Sequence, residues 1–365
     1  MLPYFVITLL ASVDAAAVKT INVRSPGGMF SVQLDCQIDK HCDGFKKSIE
    51  LVTQSLENAF SLEKRIDVRV VVDSGLKENV GATTKNEFVT GPDPKANILY
   101  DRALAKQLFK VDAGDYPDFT VTFNGKKEYF FPGDYGTKKK GYLVVNTMAH
   151  EFLHGMGFGP LIQSNEPNNA VIPFYLSSKG PKEGTGKLLF VTSPFTKNLF
   201  TKEGKPLNNL IDEMNKKNII QLNGKSPAQL EPSAELNKYA KEFEKKLTTH
   251  EGLYFKTSQG NFYLNTKSTF DRGSTMTHVD DRYNEGKDYL MTSHANEIDG
   301  TSDLKANDWP TAPLGPLTLE VMQAMGYKLN PKPSLKKSLP GFYPKKGGGN
   351  SASSALKRIL GKLKV

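Results

Sequence analysis

Apolar residues recur along the chain at two spacings, one helical and one alternating, and these spacings predict most of its elements. Phe45, Ile49, Val52, Leu56 and Phe60 fall three or four apart and predict an amphipathic helix. Ile66, Val68, Val70 and Val72 alternate as a strand, and so do Phe119, Val121 and Phe123 before the turn signal Asn124-Gly125. Pro26-Gly27-Gly28 marks a turn ahead of a strand over 30–34, a short helix is expected over 101–109, and 129–131 reads as a further strand. The polar stretch 80–97 and the basic run Lys138-Lys139-Lys140 read as loops. Downstream, helices are expected over 207–217 and 233–247, the second with Leu236, Ala240, Phe243 and Leu247 in register. Strand-like runs lie at 188–191, 253–256 and 261–264. Leu314-Gly315-Pro316 then introduces an apolar helix over 317–325 that closes at Gly326-Tyr327, with Trp309, the single tryptophan, packed nearby. This order of elements implies an α/β or α+β lobe.

One helical stretch also carries chemistry. Over 144–159, Val145, Ala149 and Phe152 supply a face for the core, while His150 and His154, four apart, share another face. Two neutral imidazoles at that spacing reach one metal ion, and borderline-soft Zn²⁺ suits nitrogen ligands. Glu151 stands beside the first histidine, where a carboxylate takes a proton from a metal-activated water. Asn146 reads as the helix N-cap, and Gly155 and Gly157 as its end.

Composition and termini add a compartment. The 365 residues are 38% hydrophobic and 24% charged, which describes a globular protein with ample core. The formal charge of +9 favours acidic surfaces, yet the lysines are scattered through loops and form no nucleic-acid motif, so no nucleic-acid partner is expected. Residues 2–13 are mostly apolar, too short to span a bilayer, and run into Ala15-Ala16-Ala17, which reads as a signal peptide over 1–17 cleaved before Val18. The protein is therefore expected to be secreted. Cys36 and Cys42, the only cysteines, then read as a small disulfide loop. A zymogen's metal-blocking cysteine fits less well, because the helix at Phe45 and the strand at Ile66 follow at once and leave little room for a propeptide. At the other end, a flexible linker over 345–354 leads to the basic, amphipathic segment 355–365, suited equally to contact with an anionic membrane and to a frayed terminus.

Two histidines leave a catalytic zinc one protein ligand short. His278 and Met291, the latter in an Asp288-Tyr289-Leu290-Met291-Thr292 segment, lie downstream beside Gly273-Ser274. With the strand over 119–124, Thr192-Ser193-Pro194-Phe195 and the final helix ending at Tyr327, these segments resemble a metzincin zinc metalloendopeptidase of the leishmanolysin-like, secreted microbial kind. The resemblance runs in patches over 45–327 and implies a two-lobed α+β catalytic domain. Its N-terminal lobe, 18–160, would carry the sheet and the active-site helix. A large insertion, 161–277, would form part of the C-terminal lobe and the other wall of the cleft. Residues 278–330 would supply the third ligand, the Met-turn and the last helix, and 331–365 a linker and basic tail. It further implies Zn²⁺ held by His150, His154 and His278, Glu151 as general base on a zinc-activated water, a sharp turn at Gly157, and Met291 as a hydrophobic floor.

The sequence departs from the family at two places. Metzincins commonly carry the third histidine three residues after the glycine, where this chain has Pro160. Some also place a tyrosine two residues after the Met-turn methionine, where this chain has Ser293. Among the remaining histidines, His41 adjoins the cysteines, His250 follows a lysine-rich helix, and His294 lies beyond the methionine, which leaves His278 as the expected ligand. Three other readings stay open: an aspzincin-type zinc hydrolase using Asp280 or Asp281 in Asp280-Asp281-Arg282-Tyr283, a non-catalytic binding protein on a protease scaffold, against which Glu151 argues, and a membrane-active basic protein whose function resides in the tail 347–365. The expected partners are protein or peptide substrates met by a monomer.

Overall fold

The alternating valines after Ile66 form the centre of a five-stranded sheet. The computed structural model describes residues 18–73, 76, 79–93, 96–111, 114–134, 139–165, 170–179, 186–217, 234–267, 270, 274–284, 286–293, 297–299 and 309–339. Its first part contains β1 (Lys19–Arg24), β2 (Phe30–Cys36), α1 (Asp39–Ala59), β3 (Ile66–Asp73) and β4 (Gly81–Lys85). β5 (Phe88–Thr90), β6 (Leu99–Asp101), α2 (Arg102–Phe109) and β7 (Phe119–Asn124) follow. The sheet order is β1-β2-β3-β7-β4: the three inner strands run parallel, and the edge strands β1 and β4 run antiparallel to their neighbours. On β3, Ile66, Val68, Val70 and Val72 are buried while Asp67 and Arg69 are not, so one sheet face is apolar.

Two helices cover that face. The stripe of α1 is fully buried from Phe45 to Leu56, and each such side chain contributes about 1.5–3 kcal/mol. After β8 (Tyr129–Phe130) and β9 (Lys140–Leu143) comes the chemical helix α3 (Val144–Gly155). Its Phe152 packs against Phe119 and Phe30, with ring centroids 5.5 and 6.3 Å away, and so seats the helix across the sheet.

The rest of the chain builds outward from α3. β10 (Ile162–Asn165) pairs with β11 (Ala170–Pro173), and β12 (Tyr175–Lys179) with β13 (Gly186–Phe190). α4 (Pro194–Lys197), β14 (Leu199–Thr201), α5 (Asn208–Lys216) and α6 (Ala234–Leu247) precede the hairpin of β15 (Leu253–Thr257) and β16 (Gly260–Tyr263), which adds to β14. β17 (Glu297–Asp299) joins β9 and β8 in a small sheet, and α7 (Pro316–Met325) is the last of seven helices among the described residues. None of these helices is long and apolar enough to cross a membrane. A single apolar cluster takes in Phe45, Val70, Phe152, Phe195, Phe243, Met291 and Met322, so the segments 18–160, 161–277 and 278–330 share one core. The fold is α+β, with a mixed sheet.

Two loop assignments need correction. Residues 80–97 contain β4 and β5, and Lys140 begins β9. β4 reads Gly81-Ala82-Thr83-Thr84-Lys85, small and polar with no apolar alternation. Its strand character comes from pairing with the apolar β7, and intrinsic strand preference is weak against such tertiary pairing. The signal segment 1–17, Lys138, Gly273, His294 and the tail beyond 339 lie outside the described residues.

Cys36 at the end of β2 and Cys42 in the first turns of α1 form a disulfide, with Cα atoms 5.8 Å apart. Asp288 reaches across to α7 and accepts from the backbone N–H groups of Leu317 and Thr318 at 2.8 and 3.1 Å, serving as a cap supplied from a distant loop. Trp309 is buried and donates its indole N–H to the Leu314 carbonyl at 3.0 Å. Replacing both cysteines by serine should lower the unfolding free energy by about 2 kcal/mol, the loop-closure value for so short a link. An unchanged urea midpoint would mean that the bridge contributes nothing. Asp288→Ala should cost about 1 kcal/mol in the same measurement, and a loss no larger than that of an exposed control aspartate would remove its capping role.

Candidate metal centre and cleft

α3 starts directly from β9: Leu143, in extended conformation, is its N-cap, and Val144 is already helical. Asn146 is therefore inside the helix, which corrects its reading as the cap. It lies one turn before His150, and its amide N–H donates to the Tyr289 hydroxyl at 2.7 Å. The four-residue spacing brings His150 Nε2 to 3.0 Å from His154 Nε2. Past the helix, Gly157 turns the chain with φ +112°, and its amide donates to the His154 carbonyl at 3.0 Å. Two constraints meet at this glycine. The left-handed backbone disfavours a side chain, and a Cβ would sit 2.9 Å from both Asp101 Oδ2 and Met325 Cε.

His278 arrives from far along the chain. Its segment is laced to the strand on one side, with Asn265 N donating to His278 O at 2.8 Å and Asp280 N to Tyr263 O at 3.0 Å. On the other side, Val279 N donates to Met291 O at 2.8 Å. His278 Nε2 thereby lies 3.1 Å from His150 Nε2, although 128 residues separate the two. Met291 is fully buried in the tight turn Tyr289–Met291 against α3, and its neighbour's carbonyl, Leu290 O, is 2.6 Å from His150 Nδ1.

The other ring nitrogens decide the protonation pattern. His154 Nδ1 faces Phe158 O at 2.6 Å, and His278 Nδ1 faces Ser274 O at 3.3 Å and the Thr277 hydroxyl at 3.2 Å. A carbonyl oxygen only accepts, so each Nδ1 carries the proton toward it and each Nε2 presents a lone pair inward. Burial and the two neighbouring imidazoles hold His154 well below the usual histidine range, which keeps it in the neutral, ligating form. Three inward lone pairs repel one another and suit a shared cation. Tetrahedral Zn–N bonds of about 2.0–2.1 Å would set ligand nitrogens about 3.3 Å apart, close to the two separations here. The set His150, His154 and His278 fits a divalent metal, with Nδ1 atoms oriented as metal-binding histidines require.

Glu151 is buried beside this set. Burial raises its carboxyl above the usual range, an effect opposed by the hydrogen bond from the Thr83 hydroxyl. Thr83 Oγ1 lies 2.7 Å from Glu151 Oε2 and 2.8 Å from its main-chain oxygen. The surrounding cleft is bounded by β4 (Gly81, Ala82, Thr83, Lys85) on one side and by Phe158–Pro160, Thr277 and His278 on the other. Among the described residues of the insertion 161–277, Thr277 is the one that lines it. Gly81 and Thr83 had no signal in the sequence, since small polar residues in a polar stretch carry neither periodicity nor motif.

The remaining candidates stand elsewhere. Asp280 pairs with Arg282 Nε at 3.0 Å, and Asp281 with Lys267 Nζ at 3.6 Å, so neither carboxylate belongs to the histidine set. Ser293 is buried and accepts from the Asn265 amide at 3.4 Å. His41 is buried among Phe45, Tyr129 and Phe131, next to the disulfide, and the His250 side chain is 76% exposed.

A family model spans this whole arrangement, matching residues 9–345. The chain belongs to the SPBPB7E8-like family. The match takes in Thr83, Glu151 and all three clustered histidines, and stops short of the basic tail. No curated protein and no solved structure matches the chain.

His278→Ala should strip the purified protein of most of its metal in elemental analysis, while Asp280→Ala, Asp281→Ala and His250→Ala keep theirs. Full metal content in His278→Ala, with loss in either aspartate variant, would reverse the assignment.

Proposed function

We propose that this protein is a secreted zinc-dependent endopeptidase of the metzincin, leishmanolysin-like kind, with a two-lobed catalytic domain around the cleft. The observation that carries the reading is the meeting of His150, His154 and His278 beside a buried glutamate that is free of ligand duty. A binding module has no use for that glutamate, and an aspartate-ligated zinc hydrolase would need Asp280 or Asp281 where His278 stands. The disulfide Cys36–Cys42 is in keeping with an oxidising, extracellular setting.

His150, His154 and His278 would hold the zinc, which when bound would supply Lewis acidity toward a water in the cleft and the scissile carbonyl. Glu151 accepts the proton from the attacking water as the new C–O bond forms, and delivers it to the amine nitrogen as the C–N bond breaks. His150, His154 and His278 keep their Nε2 lone pairs inward, their tautomers fixed by the carbonyls behind them. The substrate is a protein or peptide segment lying in the open cleft between β4 and the Phe158–Pro160 turn.

Wild-type protein should hydrolyse an unstructured protein substrate, lose that activity to a chelator and regain it with zinc. Glu151→Ala should keep its metal and fold while turnover falls about 10²–10⁴-fold, the usual worth of a general base. Turnover in Glu151→Ala near that of wild type would sink the mechanism.

A further inference from the structure

α3 fixes where the backbone of Glu151 lies and leaves the aim of its carboxylate to the surroundings, because the side chain has several rotatable bonds. Those surroundings are β4. In the antiparallel pairing of β4 with β7, Gly81 stands opposite Phe123, Thr83 opposite Val121 and Lys85 opposite Phe119. All three β7 partners are fully buried on the helix-covered face, so their opposite numbers point toward α3 as well. A one-residue slip would present Ala82 and Thr84 instead.

The contacts divide the two carboxylate oxygens. The Thr83 hydroxyl reaches Oε2 at 2.7 Å, and the branched Cβ of threonine restricts the rotamer from which it does so. A hydrogen bond to an ionised carboxylate is among the stronger ones available. Oε1 and Cγ of Glu151 lie 3.3 Å from the point that a Cβ on Gly81 would occupy, closer than such atoms ordinarily pack. We infer that the edge strand β4 is the positioning element of the general base: Thr83 holds Oε2, and the bare Cα of Gly81 leaves the space in which Oε1 exchanges its proton. Thr83 and Gly81 act through Glu151 and are positioning residues. The inference rests on the endopeptidase reading, and its test separates the two.

Thr83→Val replaces the hydroxyl by a methyl of the same shape. With zinc loaded, kcat should fall about 10–100-fold while KM stays within about threefold and metal content is unchanged. Thr83→Ser should restore most of kcat. Gly81→Ala should lower kcat with the urea midpoint unchanged or raised, since a strand glycine gains from a side chain. A second readout needs no activity: in the metal-free protein, the midpoint shifts of Thr83→Val and Glu151→Ala should be non-additive in the double variant, as for residues in contact. Full kcat in Thr83→Val, or additive shifts, overturns the inference and leaves the endopeptidase reading standing wherever Glu151→Ala is inactive. Full kcat in Gly81→Ala overturns the role of the glycine. A wild-type protein with no hydrolysis overturns the endopeptidase reading, and the catalytic claim made for β4 with it.

Discussion

Gathering three lone-pair nitrogens within 4.8 Å of one another, two of them about a hydrogen-bond length from His150 Nε2, is the constraint to which the rest of the molecule answers. Each approach works against electrostatic repulsion, so rigid surroundings must impose it. α3 supplies two of the nitrogens and is wedged by Phe152 between aromatic rings of the sheet. The third comes from a segment with little regular structure, and backbone hydrogen bonds to two neighbours, at Tyr263–Asn265 and Met291, do the work that a helix or strand would otherwise do. The Tyr289–Met291 turn is shared between these tasks. It accepts from His150, receives the Asn146 amide and bonds to Val279.

How much of this was legible follows from where each feature draws its energy. α1, β3 and β7 are written in apolar spacing, because each buries one face of its own residues. The spacing of His150 and His154 is likewise local, and so is the link between Cys36 and Cys42. β4 could not be read, because its partner strand makes it a strand and its own side chains are small. The start of α3 was misplaced at Asn146 for a related reason. A polar residue near a helix start suggests a cap, but this helix continues straight from β9, and the asparagine is occupied by Tyr289. His278 could be singled out by resemblance and by exclusion of other histidines, whereas the lacing that holds it could not.

Buried charge forms a second layer that spacing does not reveal. Arg102 and Lys106 of α2 meet the buried Asp118 at 3.1 and 2.8 Å, and Lys106 also reaches Asp67 at 2.9 Å. Lys85 at the end of β4 pairs with Asp101 at 2.8 Å, directly beneath Gly157. Burial pushes the Asp101 carboxyl up, so the pair is retained at a desolvation cost and stands as a link more than a source of stability. It joins the edge strand, the start of α2 and the turn beyond His154.

The main-chain oxygens behind the imidazoles have a consequence for the electronic character of the centre. Leu290, Phe158 and Ser274 offer carbonyls at the Nδ1 positions, where many metal sites place carboxylates. A carboxylate there would push electron density through the ring and partly quench the ion. Uncharged amide oxygens orient the ring with weaker donation, so a divalent ion held by these three histidines would be a stronger electrophile than one whose histidines are backed by carboxylates. Because these acceptors belong to the backbone, exchanging the side chains at 290, 158 or 274 leaves them in place, and the orientation of the three imidazoles is insulated from drift in the surrounding sequence.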